Sequence, residues 1–128
     1  MRLLLDTHIA LWAIADSPAL PAEARRLILA PQNEIYISAA SIWEISIKHS
    51  LGRGNMPISG GEAAEYFSQA GYLTLDISSS HAVFVESLPN HHSDPFDRML
   101  VAQALSEPLR LLTHDKAVAT YSDTVILA

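Results

Sequence analysis

The sequence contains no cysteine, and this absence excludes two kinds of structural element. Without thiol groups the chain can form neither a disulfide bond nor a metal centre with thiolate ligands. A chain without cysteine also fits a reducing compartment. We therefore expect a cytoplasmic protein that folds without covalent cross-links.

Basic residues are few. The chain has 8 Lys and Arg against 14 Asp and Glu, which gives a formal net charge of −6 and an isoelectric point of about 5.3. A protein with this balance does not attract nucleic acid through its overall charge. A bound metal ion can nevertheless reverse the electrostatic field locally, so the charge does not exclude nucleic-acid chemistry at a metal site.

Long apolar runs are also missing, although 49% of the residues are hydrophobic and the mean hydropathy is +0.18. The uninterrupted apolar segments are only a few residues long and could not cross a bilayer. The opening segment predicts a short buried strand, because Asp6 interrupts it too early for a secretory signal. The length of 128 residues predicts a single domain, 1–128. We expect its excess apolar residues to form a protein–protein interface.

Predicted strands alternate with predicted helices along the whole chain. The strands are predicted at 2–6, 34–38, 72–76, 110–113 and 124–127. The helices are predicted after Thr7 as far as Ser17, and at 21–30, 39–51, 61–70, 78–88 and 95–105, with loops at 53–57 and 89–93. This alternation predicts an α/β fold with a mainly parallel sheet of four to five strands and helices on both faces.

Four carboxylates lie where strands lead into helices or just inside a helix: Asp6, Glu44, Asp97 and Asp115. In a parallel α/β fold, ligands bind outside the carboxyl ends of the strands. Asp6 and Asp115 follow two such strands and should point into one crevice. Carboxylates gathered there would repel one another unless a divalent cation lay between them. The pattern predicts a metal-dependent phosphodiesterase.

Asp6 and Glu44 each have a purely structural alternative. Asp6 could cap the following helix, but Thr7 can do the same, which leaves the carboxylate of Asp6 free for a metal. Glu44 could pair with Lys48 one helical turn later, although its apolar neighbours predict a largely buried helix. We assign both acids to the metal site.

The other two acids, Asp97 and Asp115, must also be weighed between a role in helix capping and a role in metal binding. Proline at position 95 fits the first helical residue, so Asp94 is the predicted N-cap and Asp97 is free to project into the crevice. Asp115 could cap a short helix that follows it. Its shared sheet edge with Asp6 favours the metal site instead.

The six histidines suggest a zinc site, but their spacing does not support one. Adjacent histidines rarely bind one ion, and no HxxxH or HExxH pattern occurs, so His91, His92 and His114 are interpreted as surface loop residues. His8 is expected to face or orient the site without a catalytic role. No glycine-rich phosphate loop and no GxSxG turn is present.

Five segments together resemble a known family over essentially the whole chain. They are Leu-Leu-Leu-Asp-Thr-His at 3–8, Leu-Trp at 11–12, Ser-Ile-Trp-Glu-Ile at 41–45, Asp-Pro-Phe-Asp-Arg-Met-Leu-Val-Ala-Gln-Ala at 94–104, and Leu-Thr-His-Asp at 112–115. With these segments the chain resembles the PIN-domain ribonucleases, specifically the toxins of VapBC-type (type II) toxin–antitoxin pairs.

The resemblance implies a three-layer α/β/α sandwich and endonucleolytic cleavage of RNA with Mg²⁺ or Mn²⁺. It also implies inhibition by a cognate antitoxin and a homodimer, with no membrane partner. The acidic quartet of the family matches Asp6, Glu44, Asp97 and Asp115, which would be both the metal ligands and the catalytic residues. Its usual hydroxyls match Thr7 and Thr113. The residues available to grip RNA are Lys48, Arg53, Arg98 and Lys116.

Two further functions stay open on the sequence. The acidic crevice could belong to a non-catalytic binding module that holds a basic partner segment. Alternatively, the site could be that of a metal-dependent phosphatase acting on small molecules, although the chain has no glycine loop to cradle a phosphate. If two ions bind, Asp6 is the expected bridging ligand, because it follows the predicted central strand.

Overall fold

A computed structural model describes residues 1–53 and 55–128. The predicted loop 53–57 includes Gly54, which lies outside the described residues. The strands are β1 (Arg2–Leu5), β2 (Glu34–Ser38), β3 (Leu73–Leu75), β4 (Arg110–Thr113) and β5 (Ile126–Leu127). The helices are α1 (Thr7–Ile14), α2 (Ala22–Leu29), α3 (Ala39–Ser50), α4 (Gly60–Gln69), α5 (Ser79–Phe84), α6 (Pro95–Ser106) and α7 (Lys116–Ala119), with a 3₁₀ turn at Val85–Ser87.

The five strands form one sheet in the order β3-β2-β1-β4-β5, and every pairing is parallel. The predicted parallel α/β fold is therefore confirmed, and β1 lies at the centre of the sheet. Because all strands run the same way, the residues that follow β1 and β4 lie at the same edge. This edge is where the acidic residues gather.

Helices cover both faces of the sheet, and the side-chain alternation of β1 shows why. Leu3 and Leu5 point to one face and pack with residues of α1, α2 and α4, such as Ile9 and Phe67. Leu4 points to the other face and packs with residues of α5, α6 and α7, among them Leu100. A strand buried on both faces carries consecutive apolar residues, as the Leu3–Leu5 run does.

Side-chain caps fix where α3 and α4 begin. The Ser38 hydroxyl accepts a hydrogen bond from Ala40 N and caps α3, and Ser59 forms a capping box with Glu62 at the start of α4. The predicted start of α4 at residue 61 is thus one residue late. A side chain at Gly60 would collide with Ser46, so this glycine lets α4 pack closely against α3.

Several predicted elements are longer than those in the structure. The predicted strand 72–76 is Leu73–Leu75, and the helix predicted as far as Ser17 ends at Ile14. The predicted strand 124–127 is reduced to Ile126–Leu127, and the predicted helix 78–88 is α5 followed by the 3₁₀ turn. Among the described residues, no helix is both long and apolar enough to span a bilayer.

Candidate functional site

Asp6 follows β1 directly and is only 6% exposed. Its Oδ1 accepts a hydrogen bond from His8 N at 2.9 Å, and its Oδ2 accepts one from Thr113 Oγ1 at 2.8 Å. The prediction that Thr7 caps α1 is wrong. Asp6 keeps an extended backbone and is the N-cap, whereas Thr7 is already helical and its hydroxyl donates to Ser41 Oγ on α3 at 2.8 Å.

Thr113, at the end of β4, connects two of the acids. Its hydroxyl donates to Asp6 and accepts a hydrogen bond from the backbone N–H of Asp115 at 3.0 Å. Asp115 Oδ1 accepts from Ala117 N at 2.8 Å and so caps α7. The capping alternative is therefore realised for Asp115 as well as for Asp6. Each cap occupies one carboxylate oxygen, and the second oxygen contacts a side chain of the site, Thr113 for Asp6 and His92 for Asp115.

Glu44 projects from α3 and is 5% exposed. Its Oε2 accepts a hydrogen bond from Lys48 Nζ at 2.7 Å, so the predicted pair with Lys48 exists, but on a buried rather than a surface face. The hydrogen bond to Glu44 raises the pKa of Lys48, and the charges of Asp94 and Asp97 add to this effect. Glu44 therefore lies within electrostatic range of the acids on α6.

The two acids of the Asp-Pro-Phe-Asp segment divide their roles as the sequence indicates. Asp94 is the N-cap of α6 and accepts hydrogen bonds from Phe96 N at 2.8 Å and Asp97 N at 3.2 Å. Asp97 lies in the first turn, is not needed for the cap, and directs its carboxylate toward the other acids. The caps and the central strand together bring the four predicted residues to one edge of the sheet.

His92 is a site residue that the sequence interpretation missed. Its Nε2 lies 3.2 Å from Asp97 Oδ2 and 3.2 Å from Asp115 Oδ2. His92 therefore lies in the predicted loop, but it is half-buried and faces the acids instead of the surface. Its Nδ1 accepts a hydrogen bond from Asp94 N at 3.0 Å, which leaves the ring proton on Nε2, toward the carboxylates. The turn that precedes the N-cap of α6 directs the imidazole ring of His92 toward the acids. Hydrophobic periodicity in the sequence does not predict this geometry.

Burial and neighbouring charges shift the pKa values of the acids in the site. Burial, together with the charges of Asp6, Asp94 and Glu44, raises the pKa of Asp97 to about 7, although His92 acts in the opposite direction. Burial also raises the pKa of Asp6, against hydrogen bonds from Thr113 and His8. Burial opposes ionisation of Asp115 too, but hydrogen bonds from Ala117 N and His92 hold its pKa below the usual value.

These donors suit a hard divalent cation. Carboxylate oxygens of Asp97 and Asp115 lie within 4.8 Å of each other and of His92 Nε2, and the buried carboxylate of Asp6 adjoins Asp115 in the same cavity. Carboxylate oxygens are the ligands that Mg²⁺ and similar ions prefer. The raised pKa of Asp97 reflects its burial first and the neighbouring negative charges second, and a cation at this position would offset both.

One of the predicted RNA-gripping residues has a structural role instead. The Arg98 guanidinium donates to the carbonyl oxygens of Val85 and Pro89 and to the hydroxyl of Tyr121. These contacts hold the segment before α6 and leave the side chain unavailable to a phosphate backbone. Of the other candidates, Lys48 is paired with Glu44, while Arg53 and Lys116 are exposed.

A family model for the PIN domain matches residues 3–123 of this chain. No curated protein sequence matches it. Among solved structures, a chain of the VapBC2 complex from Rickettsia felis bound to a promoter DNA fragment is similar over 100% of this chain and 98% of its own, with 19% identity and a TM-score of 0.71.

Two further solved structures share the architecture. A chain of DNA-bound VapBC from Salmonella typhimurium is 18% identical and has a TM-score of 0.69, covering 100% of this chain and 97% of its own. A chain of a toxin–antitoxin complex from Klebsiella pneumoniae is 19% identical with a TM-score of 0.63, covering 97% and 95%. At these identities the similarity establishes a common fold.

Proposed function

The chain belongs to the PIN domain family, and on this basis we propose that it is a metal-dependent endoribonuclease and the toxin of a type II toxin–antitoxin pair. The observation that carries the proposal is the meeting of four acids from β1, α3, α6 and β4 at one sheet edge. Two of them, Asp6 and Glu44, are almost fully buried. Burying several carboxylates is costly unless a cation offsets their charge.

Asp6, Glu44, Asp97 and Asp115 would hold Mg²⁺ or Mn²⁺. When bound, such an ion supplies stabilisation of negative charge on the phosphate and a water molecule of lowered pKa. The chain supplies the positioning. Thr113 fixes the carboxylate of Asp6 through its 2.8 Å hydrogen bond, and Lys48 fixes that of Glu44.

His92 orients the two remaining acids. Its Nε2–H lies at equal distance from Asp97 and Asp115, and its other ring nitrogen is anchored by the backbone of Asp94. A histidine held in this way keeps both carboxylates turned toward the crevice. We assign it a positioning role for the proposed metal ligands.

The partner that we propose is a small antitoxin protein. Chains of toxin–antitoxin complexes share the fold, and a basic antitoxin segment would fit the acidic crevice, because an arginine can hydrogen-bond two carboxylate oxygens at once. Such a segment would block access to the site. A toxin that cleaves RNA would act in the cytoplasm, in agreement with the cysteine-free composition.

Cleavage of a mixed pool of structured RNAs tests the proposal. The protein, freed of any partner, is incubated with Mg²⁺, Mn²⁺ or EDTA beside the variants Asp6→Asn and Asp97→Asn. Asp16→Asn is the matched control, because Asp16 is exposed and pairs only with Arg25 at the surface. We expect discrete fragments that require the metal, persist with the control variant and disappear with both site variants.

The opposite result has a specific meaning. If the folded protein, loaded with metal, leaves every RNA intact, the nuclease proposal fails and the binding module remains. If Asp16→Asn loses activity as fully as the site variants do, the loss reflects general damage and the assignment of the acids is wrong. Thermal melting of each variant establishes that it is folded.

A further inference from the structure

A small cavity adjoins the acidic site, and its walls combine two of the acids with three ring side chains. It measures about 280 Å³ and is lined by Asp6, His8, Trp12, His114 and Asp115. We propose that this cavity, the base slot, holds one unpaired nucleobase of the RNA substrate against the indole ring of Trp12. The inference rests on the proposed nuclease function and adds a residue that recognises the substrate.

The ring side chains of the base slot form a connected group around Trp12. The indole lies 5.9 Å from the ring of His8 at an interplanar angle of 36°, and 5.8 Å from the ring of His114 at 70°. His114 is fixed because its Nδ1 lies 2.6 Å from the carbonyl oxygen of Ala128. A flat apolar surface with flanking imidazoles suits a planar heterocycle, which gains stacking contacts from the indole.

The volume of the base slot is compatible with one nucleobase. Its volume of about 280 Å³ falls just below the range of about 300–1,000 Å³ that is typical for drug-sized ligands. A second, larger groove of about 530 Å³ is also lined by His8 and Trp12, and its remaining lining is mostly apolar, with Leu11, Met56 and Ile58. That groove has none of the acids and is therefore not part of the proposed slot.

The charges around the site also favour recognition through a base. A phosphate backbone would need cations, but Arg98 is held by the segment before α6 and Lys48 is bound to Glu44, which leaves two of the four candidates, Arg53 and Lys116, exposed. A nucleobase is neutral and can approach the acids without repulsion. RNA is commonly recognised through unpaired bases that stack on aromatic side chains, which requires no net positive charge.

The position of the slot connects stacking to cleavage. Asp6 and Asp115 belong both to its wall and to the proposed metal site, so a base in the slot would place an adjacent phosphate beside the acids. The slot would then select RNA with an unpaired nucleotide next to the cleaved bond. It would also exclude a regular duplex, whose bases remain stacked inside the helix.

The test couples a change in the protein to a change in the RNA. Short single-stranded RNAs that the protein cleaves are prepared with one base removed at each position around the cleaved bond. In the parent protein, removal of one particular base should lower kcat/KM by between about fivefold and a hundredfold, the range for one lost stacking contact. In Trp12→Leu the same removal should cost nothing further, because the two changes delete one interaction.

Two variants separate stacking from packing. Trp12 also packs against the apolar core, so Trp12→Leu keeps an apolar side chain and Trp12→Phe restores an aromatic face. We expect Trp12→Phe to recover most of the activity and the sensitivity to the missing base. The matched control is Trp43→Leu, because Trp43 is 58% exposed and packs on Phe96 outside the slot; this variant should behave as the parent does.

Fluorescence provides a readout that does not depend on cleavage. Trp12 and Trp43 are the two tryptophans of the chain, so Trp43→Phe leaves Trp12 as the reporter. With Ca²⁺ in place of Mg²⁺, single-stranded RNA should quench its emission, and RNA without the critical base should not. Quenching without any cleavage would support base binding in the slot and would contradict the nuclease proposal.

Other outcomes would overturn the base slot. If the parent cleaves RNA but base removal and Trp12→Leu act additively, or Trp12→Leu cleaves normally, the nuclease stands and the slot does not bind a base. If Trp12→Leu changes only inhibition by a protein partner, the rings belong to a protein-binding surface, and the proposal is again wrong.

Discussion

The surroundings of Asp97 oppose the ionisation of its carboxyl group. Its carboxyl is half-buried beside Asp6, Asp94 and Glu44, and its pKa is raised to about 7, mainly by burial. In the unfolded chain the same group ionises near pH 4. The metal-free folded protein therefore binds more protons at Asp97 than the unfolded chain does, and this group makes stability decrease as the pH rises from about 4 through 7.

This linkage predicts that Asp97→Asn stabilises the metal-free protein at alkaline pH. In EDTA at pH 8 the variant should have a melting temperature a few degrees above that of the parent, because a repelled charge is removed. The difference should shrink toward pH 5, where Asp97 is already protonated. Asp16→Asn, at an exposed position, should show no such pH-dependent gain. Equal melting temperatures for parent and Asp97→Asn at pH 8 would contradict the raised pKa.

Thr113 is the residue through which Asp6 and Asp115 are connected, and it is fully buried. Thr113→Val keeps the shape but removes the donor to Asp6 and the acceptor for Asp115 N. We expect a loss of about 1–3 kcal/mol in the free energy of unfolding, measured with urea, together with reduced RNA cleavage. Thr124→Val is the matched control because Thr124 is exposed. A stable, fully active Thr113→Val would refute the connecting role.

At the scale of elements, the segment between α5 and α6 positions His92. Arg98 on α6 binds carbonyl oxygens of Val85 and Pro89 in this segment, and it also binds the hydroxyl of Tyr121. The same hydroxyl donates to the carbonyl oxygen of His92 at 3.3 Å. The helix that supplies Asp97 thus also holds the turn that supplies His92.

Loss of the hydrogen bonds of Arg98, here called the Arg98 clamp, should make the turn more mobile without unfolding the sheet. In Arg98→Met, which keeps the aliphatic stem, amide hydrogens of residues 85–92 should exchange faster, and kcat should fall, by up to about a hundredfold if the site shifts by 1 Å. Arg26→Met is the matched control, because Arg26 pairs only with Glu23 on the surface of α2. Unchanged exchange at 85–92 in Arg98→Met would show that the clamp does not hold the turn.

The elements differ in how well the sequence predicts them, for physical reasons. The sequence predicts β2 and β4 with their observed bounds, and it predicts the start of α6 from Asp94 and proline, because these signals are local. Asp6 and Thr7 are both good caps, and only the backbone conformation decides between them. His92 depends on a turn whose fold is set by distant contacts with Arg98 and Tyr121, so no local pattern reveals it.

At the scale of the whole molecule, the exposed apolar surface favours self-association. Large apolar side chains remain exposed on several helices, among them Leu29 at 71% and Val83 at 67%. We propose that part of this surface is covered in a homodimer. Sedimentation equilibrium at micromolar concentration should give twice the chain mass of 14.0 kDa. A strict monomer over the whole concentration range would contradict the dimer.

The most direct measurement of the central claim is to locate the ion by anomalous diffraction from a crystal soaked in Mn²⁺. The account predicts an anomalous peak at the carboxyl ends of β1 and β4, with oxygen atoms of Asp6 and Asp97 at roughly 2 Å, the distance that is typical of small divalent cations. The peak should be absent from Asp97→Asn and present in Asp16→Asn. A peak elsewhere on the chain, or none at saturating Mn²⁺, would contradict the assignment of these acids to a metal site.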